Sequence, residues 1–236
     1  MIIEGKNAVR EALKGNVTIE KVLVQKDSKG TFDFIKECRD RKINLHVVDK
    51  SALDRLSTSG RHQGVLAVAT EFSYSDFDEL FSERKEKGYL FILLDGVEDP
   101  HNVGAIIRVA DCVGADGIIL PRRRNCGVTD TVVKVSCGAS SYVKICKVNN
   151  INDAIRELKE RGVMVFAADM DGDSIYKTNL TGDVAFVIGG EGSGVHALTK
   201  KLCDGVVALP QNGKVNSLNA SVATGIVVYE CIRQKG

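Results

Sequence analysis

Short apolar runs alternate with helical spacings along this chain, and that alternation restricts the fold more than any other feature of the sequence. Runs at 89–94, 117–120, 163–168, 184–188 and 206–209 are each too short to be anything but strands. Between and after them, 103–113, 152–161 and 218–232 carry apolar residues at three- and four-residue spacing, as amphipathic helices do. Strands rich in Val, Ile and Leu, separated by helices, predict a mostly parallel sheet covered on both faces. The first seventy residues repeat the rhythm on a smaller scale, with helices expected at 7–13 and 31–41 and from Ser51, and strands at 19–24, 45–48 and 64–69. Residues 73–88, with five acidic and three basic side chains in sixteen, read as a linker or boundary helix. The expected organisation is therefore a small α/β domain over 1–72, a linker over 73–88 and a larger α/β domain over 89–236.

Several classes are excluded at this level. No apolar run approaches the roughly 20 residues a membrane-spanning helix needs, and the opening Met1-Ile2-Ile3-Glu4 has no secretory character, so a cytoplasmic protein is expected. Seven cysteines without a C-x-x-C pair or a histidine cluster predict reduced, mostly buried thiols and no metal site. A net charge of +1, with 13 basic against 10 acidic residues in 1–72 and 16 of each in 89–236, gives no field strong enough to bind nucleic acid by charge alone.

In parallel sheets of this kind ligands bind beyond the carboxyl ends of the strands, so the loops after Leu94, Ile188 and Leu209 carry the argument. The first reads Asp99-Pro-His-Asn102-Val-Gly104-Ala-Ile-Ile-Arg108. Asn102 suits a helix N-cap, and Arg108 sits among apolar neighbours, where a guanidinium needs an anionic partner, either in a structural ion pair or on a ligand. The second, Val187-Ile-Gly189-Gly-Glu191-Gly-Ser-Gly194, places one carboxylate among four glycines, and Glu191 is a candidate partner for Arg108. The third runs from Leu209 through Asn216, Ser217, Leu218 and Asn219 to Ser221, with more polar side chains than one helix cap needs. Residues 192–197 also match a dinucleotide-binding fingerprint, but the required acidic residue about 20 positions on is missing, so this reading is set aside.

These three segments, present in order, closely resemble the motifs of the SpoU, or TrmH, family of RNA 2'-O-ribose methyltransferases within the SPOUT class. Ile3-Glu-Gly-Lys-Asn-Ala-Val-Arg and His62-Gln-Gly-Val resemble the small RNA-binding domain, similar to ribosomal protein L30e, that precedes many members. The resemblance implies an α/β knot, threaded as a trefoil, in the larger domain. It implies S-adenosylmethionine held by Gly189, Leu209 and Leu218, and a reaction centre of Asn102, Arg108, Glu191, Ser217 and Asn219. The subgroup most similar to this sequence methylates a guanosine ribose in 23S rRNA; a tRNA ribose and a noncatalytic RNA-binding assembly factor are the alternatives. Homodimers that share a site are the family's usual form, and no DNA or membrane partner is implied. An arginine holds its proton too tightly to act as a base, so Arg108 is expected to stabilise phosphate or developing oxyanion charge, with the proton acceptor unassigned. Arg122, Arg123, Arg124, Arg61, His62 and Gln63 are the candidate RNA contacts.

Overall fold

The computed structural model describes residues 1–14, 18–28, 30–57, 59–70, 72–82, 86–192, 194–213 and 217–236. The chain divides into two compact units, Met1–Ser73 and Tyr74–Gly236.

In the first unit, β1 (Ile2–Glu4), α1 (Lys6–Lys14), β2 (Thr18–Gln25), α2 (Phe32–Asp40), β3 (Leu45–Val48), α3 (Lys50–Leu56) and β4 (Val65–Thr70) follow in order. The four strands form one mixed sheet, ordered β1-β4-β2-β3, in which only β2 and β3 run parallel. Alternation along β2 and β4 sends Val22, Val24, Val65 and Ala67 to a face covered by Val9, Leu13, Phe34 and Cys38 of α1 and α2. Leu23 and Leu66 face the other way, onto Leu53 of α3. The three-residue β1 has too short a pattern to be read from sequence. Thr31 precedes α2 as expected, but its hydroxyl donates to the Ser28 carbonyl at 2.8 Å rather than capping the helix.

The second unit holds β5 (Leu90–Asp95), α4 (Pro100–Cys112), β6 (Gly117–Pro121), α5 (Asp130–Val135), β7 (Ile145–Val148), α6 (Ile151–Glu160), β8 (Met164–Ser174), β9 (Val184–Gly189), α7 (Ala197–Leu202), β10 (Gly205–Ala208) and α8 (Ala220–Lys235). Its six strands are ordered β10-β8-β9-β5-β6-β7, and every neighbouring pair is parallel. Every residue of β5 is buried, as expected of a strand covered on both faces. The chain leaves β5 toward β6 and β7, then returns to the other side of β5 with β8 and β9. The switch in winding direction thus falls between β5 and β9, and there the loops that follow these two strands lie side by side.

The stretch read as a linker is built into this second unit. The Ser75 N–H donates to the Ile145 carbonyl at 2.9 Å, and Leu80, in a 3-10 turn over Asp78–Phe81, is fully buried in the core. Its aromatic neighbours Phe77 and Phe81 lie beneath the Arg161 guanidinium, which also pairs with Asp78. Charge density concealed three apolar side chains at helical spacing. The unread elements, α5, β7 and α7, are each six residues or fewer. Strand β8 runs past the expected end at residue 168 through the polar stretch 169–174, because β10 pairs with that stretch as well, across a register shift at Val206/Val207. No described helix is long and apolar enough to cross a membrane.

Candidate active site

The three motif loops meet at the carboxyl ends of β5 and β9. Helix α4 does not begin at Asn102: Asp99 caps it by accepting the His101 N–H at 2.9 Å, and Pro100 fills the first position, where no N–H is needed. Asn102 therefore lies inside the first turn. Its side chain is buried, and its amide donates to Glu191 Oε1 at 2.8 Å. Asn219 closes the triangle, its Nδ2 donating to Asn102 Oδ1 at 2.8 Å and to Glu191 Oε1 at 3.1 Å. A carboxylate only accepts, so Glu191 fixes which way both amides point. The other end of the Asn219 side chain caps α8, with Oδ1 accepting the Ser221 N–H at 3.0 Å and the Ser221 hydroxyl. One asparagine thus sets the start of the last helix and aims its amide at the other two loops.

The glycines beside Glu191 serve chain packing. A Cβ on Gly190 would stand 2.0 Å from the Gly96 carbonyl oxygen, and one on Gly189 2.1 Å from the Gly194 carbonyl carbon. Only glycine lets the β9 loop lie against the β5 loop and fold back on itself, which it does through a Gly194 N–H bond to the Gly190 carbonyl. Asp169, beyond the apolar part of β8, holds the loop from below by accepting the Val195 N–H at 3.1 Å, and it pairs with Lys200 at 3.2 Å. With the loop closed on itself and α7 only six residues long, the dinucleotide fingerprint has no helix on which to place a pyrophosphate.

A cavity of about 530 Å³ opens beneath this loop. Gly189, Leu209, Ser217 and Leu218, all singled out from sequence, line it together with Glu191 and Asn219. Its floor is apolar, from Ile188, Val207, Ala223 and Val227, while Asp169 and Gln211 add polar groups. Asn216 lies outside the described residues. A second, adjoining cavity of about 350 Å³ shares Glu191 and is bounded by Glu98, Asp99, Asn102, Arg124 and His196.

The expected pairing of Arg108 with Glu191 does not form. Arg108 is exposed and, among the described residues, has no carboxylate partner; its Nη1 approaches the Cys137 sulfur at 3.7 Å. The helix geometry explains this. At about 100° per residue, Asn102, Val103, Ile106, Ile107 and Ala110 fall within one arc, whereas Arg108 lies about 240° from Asn102, on the opposite side. Flanking apolar residues in sequence were not its neighbours in space, and Glu191 is bonded to the two asparagines instead.

The RNA-contact candidates separate as well. Arg122, Arg123 and Arg124 are all exposed after β6, and only Arg124 borders the second cavity. In the first unit Arg61 is exposed. His62 is buried, with Nε2 2.8 Å from Asp54 Oδ1 and Nδ1 accepting the Gly64 N–H at 3.0 Å, so it holds the turn into β4 rather than facing a ligand. Gln63 is exposed, and its Oε1 accepts the Lys6 N–H at the start of α1. Sequence reasoning also missed Asp95 and His196, which are bonded to each other; an acidic residue ending a buried strand at a ligand-binding edge was the available signal. None of the seven cysteines is in a disulfide, and burial pushes the Cys38, Cys146 and Cys231 thiols up to about 11 and Cys203 to about 12. Cys112 and Cys137 are exposed, contrary to the expectation of mostly buried thiols for those two. No cluster of metal-binding type occurs among the described residues.

Residues 89–229 match the SpoU rRNA Methylase family, and residues 2–75 match the RNA 2'-O ribose methyltransferase substrate binding family. A Staphylococcus haemolyticus protein assigned to the TrmH family of tRNA/rRNA methyltransferases is 40% identical over 241 residues, covering 100% of this chain and 96% of its own. A Bacillus subtilis protein of the same assignment is 40% identical over 237 residues, covering 98% and 94%. Among solved structures, the AdoMet-bound rRNA methyltransferase of Sinorhizobium meliloti superposes with a TM-score of 0.62 at 26% identity, covering 98% of this chain and 86% of that one. A SpoU methyltransferase from Streptomyces viridochromogenes, at 24% identity and a TM-score of 0.65, covers 100% and 90% and shares the fold. A parallel α/β sheet with hydrogen-bonded loops at its switch point defines a class, and the matches give it its name: the chain belongs to the SpoU, or TrmH, family of RNA methyltransferases.

Proposed function

We propose that this protein transfers a methyl group from S-adenosylmethionine to the 2'-hydroxyl of a ribose, with a guanosine of 23S rRNA as its target. The observation that carries the reading is the Asn102–Glu191–Asn219 triangle at the rim of the 530 Å³ cavity. The cavity suits the cofactor: it falls within the ~300–1,000 Å³ of small-molecule sites, its apolar floor suits an adenosyl group, and Asp169 and Glu191 offer negative charge to a cationic ligand. Gly189, Leu209 and Leu218 would hold the cofactor, and Ser217 would bond near Glu191. When bound, S-adenosylmethionine supplies an electrophilic methyl group.

The chain's own contribution is then placement and charge. The two asparagine amides hold Glu191 in one orientation and leave its second oxygen to orient a ribose hydroxyl. Arg108, free of any carboxylate among the described residues, is available to a phosphate or to the developing oxyanion. Its exposure supports a homodimer in which Arg108 is presented to the partner's site, and α8 offers a suitable surface: Val222, Ile226 and Tyr229 are exposed along one side of it. Arg122, Arg123, Arg124, Arg61 and Gln63 would contact RNA phosphates and shape. The trefoil threading of the last strands and helix, RNA binding by the first unit with methyl transfer by the second, and a cytoplasmic location belong to the same proposal.

Transfer of labelled methyl to unmodified 23S rRNA and to tRNA, mapped by resistance of the ribose linkage to alkaline cleavage, tests it. One labelled 23S ribose is expected. Label on tRNA alone moves the target and keeps the chemistry; no label on either, with no cofactor binding, leaves an RNA-binding protein without catalysis.

A further inference from the structure

The second cavity holds a feature the proposed reaction has not used. His196, the residue before α7, lines it together with Asn102 and Glu191. The His196 Nδ1 lies 3.0 Å from Oδ2 of Asp95, the buried last residue of β5, and the same oxygen accepts the His196 backbone N–H at 3.0 Å. The ring is seated as well as bonded: Gly96 has φ +84°, and a Cβ there would stand 3.4 Å from the ring's Cε1. A carboxylate partner requires the proton on Nδ1, which leaves the Nε2 lone pair as acceptor. Among the described residues no group bonds Nε2. An imidazole oriented through Nδ1 by a buried carboxylate, with Nε2 open to a cavity, is the arrangement of a general base.

We propose that the 350 Å³ cavity receives the target nucleotide and that His196, oriented by Asp95, accepts the proton of its 2'-hydroxyl. This rests on the methyl-transfer reading above and supplies the acceptor that reading lacks. An arginine keeps its proton at neutral pH, and a carboxylate is a weaker base than an imidazole, so Glu191, with Oε1 held by two amide donors, orients the hydroxyl through its other oxygen while the ring takes the proton. In the step, the hydroxyl O–H bond breaks and its proton goes to His196 Nε2. The oxygen–methyl bond forms as the methyl–sulfur bond breaks, its electron pair returning to sulfur. The positive charge thus passes from sulfonium to imidazolium, and the imidazolium then releases its proton to solvent.

The charged groups about the ring are Asp95, bonded to it, and Glu98, Asp99, Glu191 and Arg124, which line the same cavity. Only the neutral ring accepts a proton, so the rate rises with pH as the ring deprotonates.

His196→Asn keeps a donor toward Asp95 and removes the base. Single-turnover methyl transfer by this variant is expected to fall about 100-fold or more and to lose the acidic limb of its pH profile. Calorimetric S-adenosylmethionine affinity and filter-binding RNA affinity should stay within about twofold of wild type, as removal of a proton acceptor alone leaves binding intact. Added imidazole is expected to restore part of the turnover of His196→Ala. With only four histidines in the chain, the His196 ring can be followed by NMR, and its titration should coincide with the wild-type kinetic limb. A wild type that transfers methyl while His196→Asn matches it in rate and pH profile overturns this proposal alone. So does a wild-type limb that departs from the His196 titration, even if the variants fail to fold. A wild type that transfers no methyl to any RNA refutes the functional reading, and this proposal with it.

Discussion

The two units use polar side chains in opposite ways. In the first, His62 is buried between Asp54 and the Gly64 N–H, and Gln63 accepts the first N–H of α1, so residues resembling an RNA-contact motif are bonded to their own chain. In the second, Asn102, Glu191 and Asn219 come from three segments distant in sequence, bond to one another and edge two cavities. The same residue types hold shape in one unit and form a site in the other. What separates the cases is whether the bonds close a local turn or join distant loops around open space.

Substitution can break this contrast. The largest effect is expected for Asn219→Ser, which keeps an N-cap oxygen for α8 but removes the amide donor; methyl transfer should fall by roughly 10²–10³-fold with the thermal transition little changed. Mixing that variant with Arg108→Ala, itself expected to lose methyl transfer, is expected to restore part of the activity, because a shared dimer contains some sites with both residues intact; no recovery would remove the shared site. Next, His62→Ala should lower unfolding stability by about 1–3 kcal/mol through the unpaired groups it leaves, read from the urea midpoint, while S-adenosylmethionine affinity is unchanged. An equally stable variant with weakened RNA binding would return His62 to the RNA surface. The smallest effect is expected for Arg122→Ala with Arg123→Ala: uniformly weaker RNA binding and a salt-dependence slope shallower by about one unit or somewhat more.

Much of this architecture was legible because strand and helix periodicities are properties of neighbouring residues. The run at 89–94 is buried on both faces, as its unbroken hydrophobicity required, and the larger sheet is wholly parallel. The elements that escaped, α5, α7, β1 and β7, are each six residues or fewer and lack the unbroken apolar runs that mark equally short strands such as β5 and β9. Motif spacing brought Glu191, Ser217, Leu218 and Asn219 to one cavity, but side-chain direction was harder to read. Arg108 was paired with Glu191 because both stood out chemically, whereas the helical phase turns Arg108 away. His196 was passed over because it sits in a loop of glycines, and the carboxylate that orients it lies 101 residues earlier.

The central claim is that the cavity beneath the glycine loop is the cofactor site, and calorimetric titration of S-adenosylmethionine into the wild type and Ala223→Trp tests it most directly. Ala223 lines the cavity one turn along α8 from Asn219, so an indole there occupies the space proposed for the cofactor. The account predicts one binding site per chain in the wild type and none in the folded variant. Equal binding by both would place the cofactor elsewhere and contradict it.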